Sequence, residues 1–188
     1  YRMASMKQMK SNVITFKSFH NDLLIAKELV YDKCGFDIAE YTIENESQEY
    51  GACSYQLNGM TVKFRVSKIT PTKTGHFVTI WKRNEKGITQ PFDETDQIDF
   101  IVISSRNGNN FGQFVFPKSV LIDKRIISGS FHVGKRGIRV YPPWDMAASK
   151  QAEETQRWQT KYFLRIHNND LTDFEFAKKL FEKSSASR

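Results

Sequence analysis

Tyr55-Gln56-Leu57-Asn58-Gly59-Met60-Thr61-Val62-Lys63-Phe64-Arg65-Val66-Ser67-Lys68-Ile69 is the stretch that decides how this chain folds. Asn58-Gly59 stands between two alternating runs. Both residues tolerate positive φ, so the stretch predicts a two-residue β-hairpin. In its second strand Met60, Val62, Phe64 and Val66 point one way, and Thr61, Lys63, Arg65 and Ser67 the other. The alternation predicts a strand that turns a polar, basic face to water or to a ligand. Read as an edge, the same strand would offer pairing to a protein partner, although its cations blunt edge pairing.

Working outward, a third strand is expected at 76–83 and a fourth at 98–105. Phe100-Ile101-Val102-Ile103 is continuously apolar, which predicts a central strand covered on both faces. Asn107-Gly108-Asn109-Asn110 reads as a turn into a fifth strand at 111–116. Pro117 suits the first position of a short helix, and a sixth short strand, 138–141, stops at Pro142-Pro143. Upstream, Phe19, Leu23, Ala26, Val30 and Cys34 recur at helical spacing and predict a helix over 18–34, ended by Gly35. Residues 36–51 give no clear periodicity. Ser149 can cap a helix over 150–166. Thr172 and Glu175 make a capping box for a last helix with Phe174, Ala177 and Phe181 inward. The order predicts a layered α/β (α+β) domain with a mixed β-sheet of five to six strands flanked by helices. One domain is expected over 18–183, with an extension at 1–17 and a frayed tail at 184–188.

The 188 residues, 39% hydrophobic and 26% charged, have ordinary globular composition, and 15 Phe, 7 Tyr and 3 Trp exclude a disordered chain. No apolar run approaches the roughly 18 residues of a membrane span. The first ten residues lack the apolar segment of a secretory signal. Cys34 and Cys53 form no CxxC, and the four His are scattered, so no zinc spacing exists. Both cysteines read as small buried hydrophobes in a reducing, cytoplasmic compartment. The 28 cationic and 21 anionic side chains leave a net charge of +7. That balance fits a protein that meets phosphates, and it fits plain solubility equally well.

Gly134-Lys135-Arg136-Gly137-Ile138-Arg139-Val140-Tyr141-Pro142-Pro143-Trp144-Asp145 is the densest candidate site. Its cations would hold a phosphate backbone while Tyr141 and Trp144 stack on unpaired bases. Alternatively, the aromatics plug the edge of the core and the cations are solvated. Lys135, Arg136 and Arg139 are the candidate phosphate contacts, with Lys118 and Arg83 in support. Trp158 and Tyr162 share a helix face, with Gln156 and Gln159 adjacent, and Trp81-Lys82-Arg83 ends a strand. Asp93, Glu94, Asp96 and Asp99 offer oxygen ligands of the kind magnesium takes, or they form a solvated loop. No phosphate-binding glycine loop and no nucleophile elbow is present.

The runs Val78-Thr79-Ile80-Trp81-Lys82-Arg83, Gln90-Pro91-Phe92-Asp93, Asp99-Phe100-Ile101-Val102-Ile103-Ser104, Phe111-Gly112-Gln113-Phe114-Val115-Phe116-Pro117-Lys118, Gly134 to Trp144 and Gln156 to Phe163 together resemble the MepB family of small bacterial proteins. The resemblance covers roughly 20 to 168. It implies a PD-(D/E)XK nuclease-like fold, in which one hairpin strand carries an Asp and the next an acid-x-Lys that hold magnesium. Asp99 can stand as the first acid. The acid-x-Lys falls on Gln113 and Val115 or on Phe116 and Lys118, so one element is missing in either register; symmetry about the turn favours the second. Glu28 could lend a carboxylate. The resemblance thus implies a nucleic-acid-binding protein that prefers single strands on a degenerate nuclease scaffold. A divergent magnesium-dependent nuclease and a protein-interaction module are the alternatives. Neither a small-molecule cofactor nor a membrane partner is expected, and DNA and RNA are not distinguished.

Overall fold

The computed structural model describes residues 19–168 and 172–182. The expected extension at 1–17, the tail at 184–188 and the outer limits of the expected domain lie outside them. The Asn58-Gly59 hairpin forms as read: β2 (Cys53–Leu57) and β3 (Met60–Val66) pair antiparallel, with φ of 48° at Asn58 and 78° at Gly59. β8 (Phe100–Asn107) is the central strand. It pairs parallel with β3 and antiparallel with β9 (Asn110–Pro117). β1 (Ile38–Ile43) lies beyond β2 and β11 (Phe163–Arg165) beyond β9, giving a six-stranded mixed sheet in the order β1-β2-β3-β8-β9-β11.

Between the parallel neighbours β3 and β8 the chain makes an excursion. It forms β4 (Lys68–Thr70) and β5 (Lys73–Thr79), then a small hairpin of β6 (Trp81–Arg83) and β7 (Thr89–Pro91). The strand expected at 76–83 is thus two strands in two sheets. β10 (Gly137–Val140) joins β5 to complete a three-stranded sheet, β10-β5-β4.

The continuously apolar run 100–103 is covered on both sides. On one face of the large sheet Phe100, Val102, Val62 and Phe64 pack under α1 (Asn21–Ala26) and α4 (Phe174–Leu180), through Leu23, Ala26, Ala177 and Phe181. On the other face Ile101, Ile103, Phe114 and Phe116 pack against Val78, Ile138 and Val140 of the small sheet and Leu121 of α2 (Lys118–Asp123). Two apolar layers therefore sandwich one sheet, which is an α+β arrangement.

Four local expectations are corrected. The first helix is α-helical only to Ala26 and continues as a π-helical segment over Lys27–Tyr31, so Cys34 lies in the following turn and is only partly buried. Gly35 does supply the left-handed residue there, at φ 71°. The helix expected over 150–166 is α3 (Lys150–Gln159) and a 3₁₀ turn, after which Phe163 and Leu164 diverge to opposite faces of the sheet as β11. Consecutive apolar residues carry no period that separates a buried helix turn from a short strand. The last helix is capped by the Asp173 carboxylate, which accepts from Phe176 N–H, while Thr172 Oγ1 accepts from His167 N–H.

The fourth correction concerns β3. It is an interior strand, and its polar face is not turned to water. Arg65 is fully buried. Its guanidinium donates to Glu44, just past β1, at 2.5 Å, and Lys63 donates to the same carboxylate at 2.7 Å. Alternation separates two faces, but it does not say which is wet. A carboxylate about twenty residues upstream neutralises this one. Burial acts to raise the Glu44 pKa, but Arg65 and Lys63 outweigh it and hold the carboxyl below its ordinary value.

Candidate functional site

The small sheet and α3 enclose a cleft of about 480 Å³. Lys73 and Phe77 come from β5, Gly137, Ile138 and Arg139 from β10, Thr155, Trp158 and Gln159 from α3, and Lys124 from the end of α2, with Lys135 and Tyr141 flanking β10. Among the described residues no carboxylate lines it. Among the described residues, none of Lys73, Lys124, Lys135 or Arg139 makes an ion pair with an acid.

Cations elsewhere are engaged differently. Lys82 bonds both Asp93 and Asp96, Arg83 meets Glu46, Arg106 meets Asp22, and Lys63 and Arg65 share Glu44.

Local sequence explains how the cleft is shaped. Gly75 has φ 76°, and a Cβ there would stand 2.6 Å from the Tyr141 ring, so the glycine lets that ring approach the β5 backbone closely. Gly137 does the same for the Phe77 ring, 2.7 Å from where a Cβ would be. Gln159 is buried and clamps the chain at the end of β10: its Oε1 accepts from Tyr141 N–H and its Nε2 donates to the Arg139 carbonyl. Gln156 donates to the carbonyls of Pro142 and Asp145. The two glutamines thus hold the turn that positions Tyr141. Lys124 lies over the Trp158 ring, 5.5 Å from its centroid.

Of the residues singled out from sequence, Lys135, Arg139 and Tyr141 come together in this cleft. Arg139 also donates to the carbonyls of Thr74 and Gly75 and to Thr70 Oγ1, which fixes its guanidinium. Arg136 faces elsewhere and donates to the Thr89 carbonyl. Arg83 stacks beside Trp81 and pairs with Glu46. Lys118 Nζ donates to the carbonyls of Glu94 and Asp96 and is occupied in holding that loop. Trp144 packs edge-on against Phe163, with its Nε1 buried, so it belongs to the core margin and not to the cleft. Lys73, Lys124 and Phe77 carried no sequence signal; only the Trp158 stripe on α3 pointed this way.

The expected metal constellation is also resolved by position. Lys118 N–H donates to the Asp99 carbonyl, so Asp99 does stand opposite Lys118, as symmetry about the turn required. The Asp99 carboxylate, however, accepts from Thr61 N–H. Gln113 is on the far face of the sheet, where it accepts from the Tyr31 hydroxyl and donates to Ser104 Oγ. Glu28 is exposed on the first helix. Burial opposes ionisation of Asp93, but hydrogen bonds from Lys82 and Thr95 bring its carboxyl down to about 2. Among the described residues no three His, Cys, Asp or Glu side chains gather as a metal site.

Two further groups have the residue types of nucleophilic chemistry. Burial pushes the Cys53 thiol up to about 12, which leaves it unreactive at neutral pH. His76 Nδ1 lies 3.2 Å from Ser67 Oγ and its Nε2 3.6 Å from Asp145. Ser67 is itself buried and bonded to Ser105 Oγ, so no substrate carbonyl reaches it. Burial lowers the pKa of His76 and raises that of Asp145.

Fold and cleft together define a mixed-sheet α+β protein with an unpaired basic and aromatic groove. A family model described as MepB-like matches residues 44–165, and the chain belongs to that family. The crystal structure of MepB is 32% identical, with a TM-score of 0.69, over 81% of this chain and 100% of that one. A bacterial homing endonuclease is 14% identical, with a TM-score of 0.41, over 72% of this chain and 87% of that one. No curated protein matches. The six-stranded mixed sheet with helices on its faces is the α+β layered arrangement expected from the sequence. No helix among the described residues is long and apolar enough to cross a membrane.

Proposed function

We propose that the cleft binds a nucleic-acid strand, with a preference for single strands, and performs no hydrolysis. The observation that carries this reading is that four cations line one groove with no carboxylate among them, beside the rings of Phe77, Tyr141 and Trp158. Unpaired cations gain most from a polyanion, because phosphate replaces their counterions and no internal salt bridge has to break. Aromatic walls add affinity only for bases whose faces are free, which favours single strands over duplex. The lysine nearest the nuclease-like position, Lys118, already serves two carbonyls, and Asp99 is bonded to backbone.

The test is fluorescence anisotropy with single-stranded and duplex oligonucleotides over a salt series, with the products run on a gel in magnesium. Four phosphate contacts give a log-log salt slope of about −3 for a single strand. Lys73→Gln and Lys135→Gln should each reduce its magnitude by about 0.7. A slope near zero, or slopes untouched by both variants, refutes the cleft as the binding site. Magnesium-dependent cleavage refutes the non-hydrolytic part.

A further inference from the structure

The loop over 127–134 springs from the rim of the cleft and returns to it. Ile126 and Lys135 both line the cleft, and Lys135 N–H donates to the Ile126 carbonyl at 2.9 Å, closing the loop at its base. The loop is held at several points along its length. Gly129 and His132 exchange two backbone hydrogen bonds, and Ser128 N–H donates to the Phe92 carbonyl. Gly134 N–H donates to Ser128 Oγ, and Ser130 Oγ donates to Glu94. His132 turns inward, with Nε2 2.9 Å from the Ile127 carbonyl and its ring 2.8 Å from where a Cβ on Gly129 would stand.

This anchoring has a consequence for the two neighbours of His132. Phe131 is 98% exposed and Val133 80% exposed. A large ring left in water forfeits its burial free energy. A slack loop would recover it by folding the ring back onto the protein. Here the inward His132 and the reciprocal Gly129–His132 bonds keep both side chains out. The charge around the loop is mixed: along the chain Lys124 and Arg125 precede Ile126 and Lys135 and Arg136 follow Gly134, while Asp93 bridges Ser128 and Glu94 accepts from Ser130. A rigidly presented phenyl ring, on a loop whose two ends line a basic groove, matches an unpaired base of a strand held in that groove.

We propose that Phe131 is an external stacking platform for a base of the strand that occupies the cleft, so that the strand leaves the groove over this loop. The inference rests on the nucleic-acid reading of the cleft and extends its footprint by at least one base. Removing the ring deletes a stacking contact and no charge. Affinity for a longer strand should therefore fall while the salt slope stays the same.

The test uses the full chain with Phe131→Ala, Phe131→Leu and Phe131→Trp. Each is titrated with an oligonucleotide of about three nucleotides, enough for the cleft, and one of about twelve. Phe131→Ala should weaken the longer strand about fivefold or more, within the range expected for one stacked base, and leave the short one and the salt slope unchanged. Phe131→Leu should be as weak as alanine, because it is apolar without a π-face. Phe131→Trp should bind as the parent does, and its added fluorescence should be quenched by the longer strand. At near-complete exposure these substitutions leave the fold intact, which thermal melting checks.

Full affinity in Phe131→Leu, or no loss in Phe131→Ala while the parent binds, overturns this inference and leaves the cleft reading standing. No binding by the parent protein overturns both. The inference is also overturned if Phe131→Ala abolishes association with phosphatidylglycerol vesicles and leaves oligonucleotide binding untouched. The loop would then be a lipid contact.

Discussion

Replacing Glu44 with glutamine tests the most consequential burial in the molecule. Arg65 is fully buried. Its Nη1 donates to the Phe64 carbonyl at 2.8 Å, its Nη2 to Glu44 at 2.5 Å, and its Nε finds no partner among the described residues. Glu44→Gln keeps the shape and one acceptor but removes the only carboxylate that faces Arg65 and Lys63 among the described residues. Breaking a buried pair from one side costs about 3–5 kcal/mol, because a charge is left uncompensated. Glu44 retains 14% side-chain exposure, and glutamine still accepts a hydrogen bond, so the lower end, about 3 kcal/mol, is expected. In a domain of this size that lowers the melting temperature by about 6–12 °C.

Urea unfolding at neutral pH should show a lower midpoint with an unchanged slope. Adding Arg65→Met to the variant should recover most of the loss, since an apolar side chain needs no counter-charge. The folded pKa of Glu44 is depressed, so its contribution is present above the ordinary carboxylate value and is lost as pH falls through the lower folded value. The stability gap between parent and variant should close on that acid limb. A loss below about 1 kcal/mol at neutral pH would mean that water reaches Arg65, and would refute the buried-cluster reasoning.

Two other variants probe the sheet. In Gly112→Ala the new Cβ would stand 2.5 Å from the Leu164 carbonyl oxygen and 2.3 Å from the Phe163 ring, so β11 must move off β9. Overpacking of this kind costs about 1–3 kcal/mol; urea unfolding checks it, and a change within error would contradict the close approach. Gln113→Leu strips the partner from the buried Tyr31 hydroxyl and from Ser104 Oγ, for about 1–3 kcal/mol of stability. Because Gln113 faces the Lys27–Tyr31 segment and the cleft lies on the other side of the sheet, oligonucleotide affinity should not change. Loss of a magnesium-dependent cleavage in Gln113→Leu would instead return this residue to a catalytic role.

Functional legibility was uneven for physical reasons. Lys135, Arg139 and Tyr141 could be read together because they lie within seven residues, on and beside one short strand. Lys73 and Lys124 reach the same cleft from β5 and α2, and no local pattern marks a solvent-facing lysine as part of a distant groove. Trp144 and Tyr141 looked alike in sequence. The Gln156 and Gln159 clamps on the intervening turn send one ring into the cleft and the other against Phe163. Arg83 and Lys118 looked like free cations until their partners, Glu46 and the carbonyls of Glu94 and Asp96, came from other loops.

The sequence by itself determined the Asn58-Gly59 hairpin, the doubly covered strand through Phe100 to Ile103, the Ser149 cap of α3 and the opposition of Asp99 to Lys118 across the β8–β9 turn. These depend on backbone conformations and periods that neighbouring residues dictate. Only the tertiary structure decided that β3 is interior and parallel to β8, that its cations are neutralised by Glu44, and that Lys73, Lys124, Lys135 and Arg139, none paired with an acid among the described residues, line one cleft. Whether a charge is spent or available depends on which residues meet it in space, and those partners lie tens of residues away along the chain.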